Sequence, residues 1–321
     1  RSRGLGDVYK RQALLARQDV NEIIKPATEK SAALSAFRKI TMTAGTARMP
    51  VLSAIPTAGW VKDSATDPDG AKPTTGLRWE DKELVAEEVA CIVPIPENVL
   101  DDSRFDIWAE VRPLVATEFA RVLDAAVLFG TNKPTTWTSP ALVPGAVAAG
   151  NVITESDDGD LADDFNSAFA YVENDDFDVN AAFTGRFLRA ELRGLRDKNG
   201  QPIYLDSLRS DGVTSMVYGQ DLYYVGNRVW DKAAATALVG DANAAVLGIR
   251  QDMQVKLLDQ ATVGGINLAE RDMVALRFKF RVGFAVAFSA PGAKNPTKTF
   301  PFAIIKPGAD GIPGKGIGKD N

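Results

Sequence analysis

The sequence predicts an α+β fold, and three stretches carry that prediction: one long amphipathic helix, one long alternating strand and one long polar hairpin. The chain has 321 residues, of which 45% are hydrophobic and 25% are charged. A chain of this size and composition buries a sizeable core and usually divides into two domains. The chain is therefore expected to fold into two domains that contain these three stretches.

The long helix follows a short strand within residues 94–130. Apolar residues recur there every three or four positions, which marks one face of a helix. They are Phe105, Trp108, Val111, Val115, Phe119, Val122, Ala126 and Phe129. Residues 101–103 offer N-cap oxygens, Gly130 supplies a stop, and Pro113 predicts a kink. The opposite face is predicted to stay open to solvent or to a partner. It carries Arg112, Glu118, Arg121 and Asp124.

Residues 57–89 are predicted to form a long hairpin. Its arms, residues 58–64 and 77–90, flank a tip whose Asp-Pro-Asp-Gly sequence favours a turn. The arms are polar on both faces, with Trp60, Val61, Leu77 and Trp79 as their apolar anchors. Because an isolated two-stranded hairpin is marginal in water, this one is expected to need a neighbour. The alternative is a disordered surface loop. The preceding residues 47–55 are predicted to be an edge strand that enters the main domain.

Residues 274–288 predict the long strand, because every second residue is apolar. Its other face carries a basic stripe of Arg277, Lys279 and Arg281. This stripe is a candidate site for phosphate or for an acidic neighbour, with a solvated strand face as the alternative. Residues 251–260 predict a second strand with Met253, Val255 and Leu257 on one face. Residues 300–306 predict a last short strand.

The middle of the chain predicts an α+β unit. Residues 131–151, rich in Pro, Thr and Ala, are expected to be a loop between domains. Helices are expected over residues 161–173 and 186–196, with a strand over residues 179–185 between them. An acidic cluster at residues 157–164 is interpreted as a helix N-terminus rather than a calcium loop, since it lacks the spacing of an EF-hand.

Composition excludes several classes of function. The chain has no histidine, which removes the commonest general base and a common metal ligand. The single Cys91 is interpreted as a small hydrophobe. No nucleophile, base and orienting group occur together, so we expect no enzyme activity, no cofactor and no metal. No apolar run is long enough for a membrane span. The net charge of −5 disfavours sequence-specific DNA contact.

Three passages together resemble the major capsid protein family of tailed phages, which has the Hong Kong 97-like fold. The helix block matches through Asp102–Asp106 and through the Asp-x-Ala-x-Leu-x-Gly ending at Asp124–Gly130. A Gly-Asp segment and a Gly-Ile-Arg strand follow at residues 240–241 and 248–250. Residues 267–288 are similar to the closing long strand. The resemblance covers roughly residues 25 to 307.

The resemblance implies an α+β, Hong Kong 97-like capsid fold with an N-terminal arm, an extended β-hairpin loop, a peripheral domain and an axial domain. The implied division is an arm at 13–46, an extended loop at 57–89, a peripheral domain at 47–56, 90–130 and 236–290, an axial domain at 131–235 and 291–307, and a loose tail at 308–321. Residues 1–12 match no pattern that follows them and are interpreted as an artefact or a disordered leader, with a natural basic arm as the alternative.

The resemblance also implies a structural subunit that assembles into hexamers and pentamers of an icosahedral shell around double-stranded DNA. Its implied partners are other copies of itself, the phage portal and scaffold or protease proteins, and the packaged DNA, bound without sequence specificity. It would assemble in the host cytoplasm and reside in the virion capsid. The expected interface residues are Trp60, Lys62, Asp63, Lys72, Trp79, Arg112, Glu118 and Arg121, and the basic stripe would face the interior.

Two alternatives remain open at this point. The first is the shell of an encapsulin-type protein compartment, which shares the fold but packages enzymes. The second, from another class, is a soluble two-domain enzyme or binding protein with a cleft between its domains. The contents of purified particles separate the first from a phage capsid, and the size of the purified protein separates the second.

Overall fold

A computed structural model describes residues 31–54, 60, 76, 78–102, 107–155, 161–195, 216–226, 228–288 and 298–308. The first half of the chain contains α1 (Ala32–Ala36), β1 (Arg38–Thr41), β2 (Thr46–Ala54), β3 (Arg78–Val85), β4 (Glu87–Pro96), α2 (Glu97–Asp102), α3 (Ile107–Leu128), α4 (Leu142–Ala149) and β5 (Val152–Thr154). The second half contains α5 (Leu161–Asn174), β6 (Ala181–Gly185), α6 (Leu188–Gly194), β7 (Met216–Val217), β8 (Gln220–Val225), β9 (Ala237–Gly240), β10 (Ala245–Leu258), β11 (Thr262–Val263), β12 (Ile266–Asn267), β13 (Met273–Val286) and β14 (Phe302–Lys306).

A four-stranded sheet with the order β1-β10-β13-β4 carries the two long strands. Strand β13 pairs antiparallel with both β10 and β4, and β1 pairs parallel with β10. The strict alternation in β13 places its even-numbered residues on one face, where Phe278 lies opposite Cys91 of β4. Helix α3 covers this face through Val115 and Phe119. The predicted long helix and long strand therefore pack against each other.

A six-stranded sheet with the order β5-β14-β9-β6-β8-β7 forms the second layer. Helices α5 and α6 pack on it through apolar residues that include Phe165, Phe169, Leu188 and Leu192, so both helices predicted from periodicity are confirmed. Strand β9, which the expected boundaries place in the peripheral domain, pairs with β6 and β14 in this sheet.

The segment 131–151 is not only a loop, as the sequence analysis expected, because it contains helix α4. Pro144 lies in the first turn of α4, where a missing backbone N–H breaks no intrahelical bond. Gly150 ends the helix with φ +91°, a conformation that favours glycine. A proline that contributed to the loop prediction thus lies in the first turn of a short buried helix.

The N-terminal residues 31–42 are packed into their own subunit. Phe37 is buried, and its ring lies 5.3 Å from the ring of Phe183 and 6.5 Å from that of Phe302, centroid to centroid. Strand β1 then joins the four-stranded sheet at Val246–Ile249. This part of the expected arm therefore connects the two sheets of one subunit.

Two positions on α3 differ from the sequence prediction. Asp124, expected on the open face, is buried, and its carboxylate accepts hydrogen bonds from Ser31 Oγ at 2.5 Å, Ala32 N at 3.0 Å and Ala33 N at 3.1 Å. Val122, expected on the buried face, is 41% exposed. The first half of α3 lies on the four-stranded sheet, whereas the second half is covered by α1. The buried side therefore shifts around the helix, and the spacing of apolar residues alone does not predict this shift.

Helix α3 continues without a break in its secondary structure through Pro113 to Leu128. Gly130 follows it with φ +76° and donates its N–H to Ala126 O at 3.1 Å, which confirms the predicted stop. Within the part of the chain that is described, no helix has both the length and the apolar character that crossing a membrane requires.

Candidate subunit interface

The hairpin is formed by β2 and β3, which pair antiparallel from Thr46 opposite Val85 to Ala54 opposite Arg78. The predicted second arm, residues 77–90, corresponds to β3 up to Val85, but residues 87–90 already belong to β4. The predicted first arm, residues 58–64, lies outside the described residues except for Trp60. Residues 47–55 were predicted to enter the main domain, whereas among the described strands β2 pairs with β3 in a separate two-stranded sheet. Pro50 fits this position, because a proline is tolerated in a strand with an open edge.

The root of the hairpin, Leu84 and Val85 at the end of β3, lies against the four-stranded sheet at two glycines. Gly248 of β10 and Gly283 of β13 are directly opposite each other in the register. A methyl group on Gly283 would lie 2.6 Å from the backbone oxygen of Val85, and one on Gly248 would lie 2.3 Å from Leu84 Cδ2. Only glycine permits such a close approach. Trp137 Nε1 also donates to Val85 O at 3.0 Å, so the root is held from both sides.

Beyond its root, the hairpin exposes large aromatic side chains. Trp79 of β3 is 61% exposed and Trp60 is fully exposed. The other interface candidates of the hairpin, Lys62, Asp63 and Lys72, lie outside the described residues. Exposed tryptophans are costly in water and are enriched in protein interfaces. The described part of the hairpin thus supports a contact with another molecule.

The three interface candidates on α3 all lie at the surface. Arg112 and Glu118 are exposed and Arg121 is half-exposed. Arg121 forms an ion pair with Glu118, with Nε 2.8 Å from Oε2, so these two charges already have partners within the helix. Leu114 and Val122 are four residues before and after Glu118 and are 37% and 41% exposed. The open side of α3 is therefore a mixed apolar and charged surface.

The sequence analysis missed a third open surface, the second half of β10. Strand β1 pairs with β10 only at Val246–Ile249, so among the described strands the outer edge of residues 251–258 has no partner. Met253, Val255 and Leu257 are exposed there by 38%, 38% and 57%. Their alternation was visible in the sequence and predicted a strand with these residues on one face, but it did not predict whether that face is covered. Helix α3, however, covers β13 and β4 and leaves this part of β10 open.

The basic stripe lies on the face of β13 opposite α3. Lys279 Nζ is 2.8 Å from Glu88 Oε2, and Arg281 Nη2 donates to Ala86 O at 3.4 Å. The Nε atoms of Arg277 and Arg281 are buried and make no hydrogen bond to any residue that the structure describes. The stripe is thus half-buried, and part of its charge is compensated within the subunit.

The described residues leave three surfaces of mixed apolar and charged character open to solvent. Among them no group of three or more His, Cys, Asp or Glu residues is arranged to hold a metal ion. Cys91, expected to be a buried hydrophobe, is half-buried and packs against the apolar cluster under α3.

The sequence of this chain is similar to those of known proteins. The model of the phage capsid family matches residues 12–291. The major capsid protein of Staphylococcus phage 80alpha is 23% identical over 231 residues, 69% of this chain and 67% of that protein.

Solved structures are also similar to this chain. One from Microbacterium phage Oxtober96 has 61% sequence identity and a TM-score of 0.84, covering 93% of this chain and 98% of that chain. One from Mycobacterium phage Bobi has 38% identity and a TM-score of 0.81, covering 93% and 97%. At 20% identity, a structure described as the capsid of an empty GTA particle shares the fold, with a TM-score of 0.65 and coverage of 94% and 98%.

Proposed function

The chain belongs to the phage capsid family, as a major capsid protein of tailed phages, and from that premise we propose that its copies assemble into hexamers and pentamers of an icosahedral shell that packages double-stranded DNA. The observation that carries this proposal is the hairpin, a two-stranded sheet with exposed Trp79 that is held to its own subunit at the root. Such a hairpin gains stability when a neighbouring subunit covers it.

The three open surfaces support contacts between copies. They are the hairpin, the side of α3 around Glu118, and the second half of β10 with Met253, Val255 and Leu257. Each combines apolar side chains with charges, which is the composition of protein interfaces that form from soluble subunits. We propose that the hairpin of one copy lies on the peripheral part of a neighbour, and that residues 131–235 and 291–307 surround the centre of each capsomer.

The basic stripe fits a weak, sequence-independent contact with packaged DNA. Lys279 is paired with Glu88 and Arg281 donates to Ala86 O, so only part of the positive charge of the stripe is compensated within the subunit. A small uncompensated positive charge gives weak, salt-dependent contact with phosphate groups. The portal and the scaffold or protease proteins are proposed as the remaining partners, with assembly in the host cytoplasm.

Deleting the hairpin tip, residues 63–76, tests this function. Strands β2 and β3 end at Ala54 and Arg78, directly opposite each other, so residues 55–62 and 77 suffice to reconnect them. We expect the variant to fold with unchanged stability but to stay as small species, because the contact with the neighbour is lost. Sedimentation velocity measures the assembly state and circular dichroism the fold.

The matched control keeps the length of the tip and replaces residues 63–76 with glycine and serine. If this control also fails to assemble, the side chains of the tip make the contact with the neighbour. If it assembles, the length of the hairpin alone is sufficient. Complete particles from the deletion variant would contradict the role of the hairpin. If the deletion variant does not fold, the tip contributes to the stability of its own subunit, which would contradict this proposal.

A further inference from the structure

The hairpin is joined to the rest of the subunit by two short connections. Residues 43–45 lead into β2, and Ala86 is the one residue between β3 and β4. Ala86 N donates to Gly45 O at 2.8 Å, so the two connections lie side by side. A few residues at the ends of such an element can absorb a rotation of the whole element. The direction of the hairpin therefore depends on what else holds the chain near Ala86.

Trp137 holds the chain immediately before Ala86. Its Nε1 atom donates to Val85 O at 3.0 Å, and Val85 O is also the atom that a methyl group on Gly283 would approach to 2.6 Å. Trp137 is buried, and its ring centroid lies 5.9 Å from that of Phe284 in β13. The indole thus packs against the four-stranded sheet and fixes the carbonyl of Val85 over that sheet.

Thr136 holds the chain immediately after Ala86. Its Oγ1 atom donates to Glu87 Oε1 at 2.7 Å. Thr136 and Trp137 are neighbours in the chain, and their partners Val85 and Glu87 are the two neighbours of Ala86. One short segment therefore contacts the second connection of the hairpin on both sides of its pivot residue.

The segment that carries these two residues is itself fixed. Lys133 Nζ donates to Trp137 O at 2.9 Å and to Ser139 O at 2.6 Å, which ties residues 133–139 into a compact loop. Ser139 Oγ accepts a hydrogen bond from Val286 N at 3.1 Å, at the end of β13. Surface loops are usually more mobile than the elements they connect. These contacts instead make residues 133–139 a rigid support.

We propose that residues 133–139, named the brace, fix the direction of the hairpin, with Trp137 as the positioning residue and Lys133 acting through it. A hairpin that already points toward its partner loses less conformational freedom when the contact forms, so the brace favours assembly. This consequence for assembly rests on the proposed function. The direction of the hairpin is a property of the single subunit and can be measured without assembly.

Double electron–electron resonance between two spin labels measures the direction of the hairpin. The labels are attached at Glu80→Cys on β3 and at Glu173→Cys on α5, both exposed positions, in the full-length chain with Cys91→Ala. Dilution into unlabelled chain restricts the measured distances to those within one subunit. With the brace intact, we expect one narrow distance distribution.

Two substitutions in the brace should release the hairpin. Trp137→Phe keeps an aromatic ring but removes the N–H donor, and it should shift the mean distance and broaden the distribution. Rotation at the pivot opens the hydrogen bond of the Ala86 amide to Gly45 O, so this amide should exchange about fivefold faster, the effect of one lost hydrogen bond. Lys133→Met should act in the same way, whereas Lys133→Arg, which keeps donors toward the two carbonyls, should retain the narrow distribution.

Trp230→Phe is the matched control. Trp230 is also buried, and its Nε1 atom donates to Ala235 O at 2.7 Å in the segment before β9, so this change removes the same kind of donor outside the brace. It should leave the distances unchanged. The proposal fails if Trp137→Phe and Lys133→Met leave the distribution narrow and unshifted, or if Trp230→Phe has the same effect as Trp137→Phe. Lys133→Met decides the question if Trp137→Phe does not fold.

Assembly is a separate readout. The yield of closed particles, measured by sedimentation, should fall in Trp137→Phe and Lys133→Met and be retained in Lys133→Arg. If the unsubstituted chain does not assemble, the proposed function fails while the distances still test the brace. If chains with a released hairpin assemble as well as the unsubstituted chain, the inferred consequence for assembly is wrong.

Discussion

Replacing Asp124 with alanine is expected to lower the free energy of unfolding by about 3 kcal/mol, since hydrogen bonds to a buried charged group contribute about 1.5–3 kcal/mol each. Ser31 Oγ and the backbone N–H groups of Ala32 and Ala33 donate hydrogen bonds to the carboxylate. The substitution leaves these donors buried and unpaired at the start of α1. Chemical denaturation of unassembled subunits measures the loss.

The matched control is Glu118→Ala on the same helix. Its carboxylate is exposed and pairs with Arg121 at the surface, so the expected cost is below about 1 kcal/mol. Hydrogen exchange adds a local readout, because the amides of Ala32 and Ala33 should exchange faster in Asp124→Ala alone. Equal costs for the two substitutions, or unchanged exchange at α1, would contradict the role of Asp124 as the anchor of the N-terminal residues.

Replacing Gly283 with alanine is expected to destabilise the chain by about 2 kcal/mol through overpacking. The new methyl group would lie 2.6 Å from the backbone oxygen of Val85, and a backbone atom of a held strand cannot rotate away as a side chain can. The root of the hairpin must then lift from the sheet. We expect the yield of assembled particles to fall as well, because the direction of the hairpin changes. Denaturation and sedimentation measure the two effects.

Gly194→Ala is the control for Gly283→Ala and carries the opposite expected sign. Gly194 is the last residue of α6, and a methyl group there would meet nothing within 4 Å. Alanine in a helix is favoured over glycine by about 0.5–1 kcal/mol. The stability should therefore stay the same or rise. A loss at Gly283 no larger than that at Gly194 would show that the sheet does not constrain the hairpin root.

The sequence predicted the elements whose pattern is local. The long helix, the alternating strand β13 and helices α5 and α6 were confirmed, because their apolar residues recur with the period of a helix or a strand. The second arm of the hairpin was also predicted, since strong turn residues precede it. Local spacing and turn chemistry are properties of a short stretch of chain, and they do not depend on which distant segment provides the cover.

The errors concern contacts between distant segments. Asp124 looks like a surface residue by spacing, and only the arrival of α1 makes it a buried acceptor. The alternation at Met253, Val255 and Leu257 predicted a strand but not its open side, because the position of α3 decides what is covered. Residues 47–55 were assigned to the main domain because the strand pairing of β2 depends on β3, more than 20 residues away. Helix α4 was missed because Pro, Thr and Ala in residues 131–151 indicated a loop, whereas burial of Leu142, Val143 and Ala146 in the core stabilises the helix.

Electron microscopy of the purified full-length chain tests the central claim most directly. We expect closed particles with five-fold and six-fold capsomers, formed from this chain and, in the phage, filled with double-stranded DNA. Particles that hold protein instead of DNA would favour a compartment shell. A protein that remains a stable monomer at high concentration would contradict the assignment of this chain as a shell subunit.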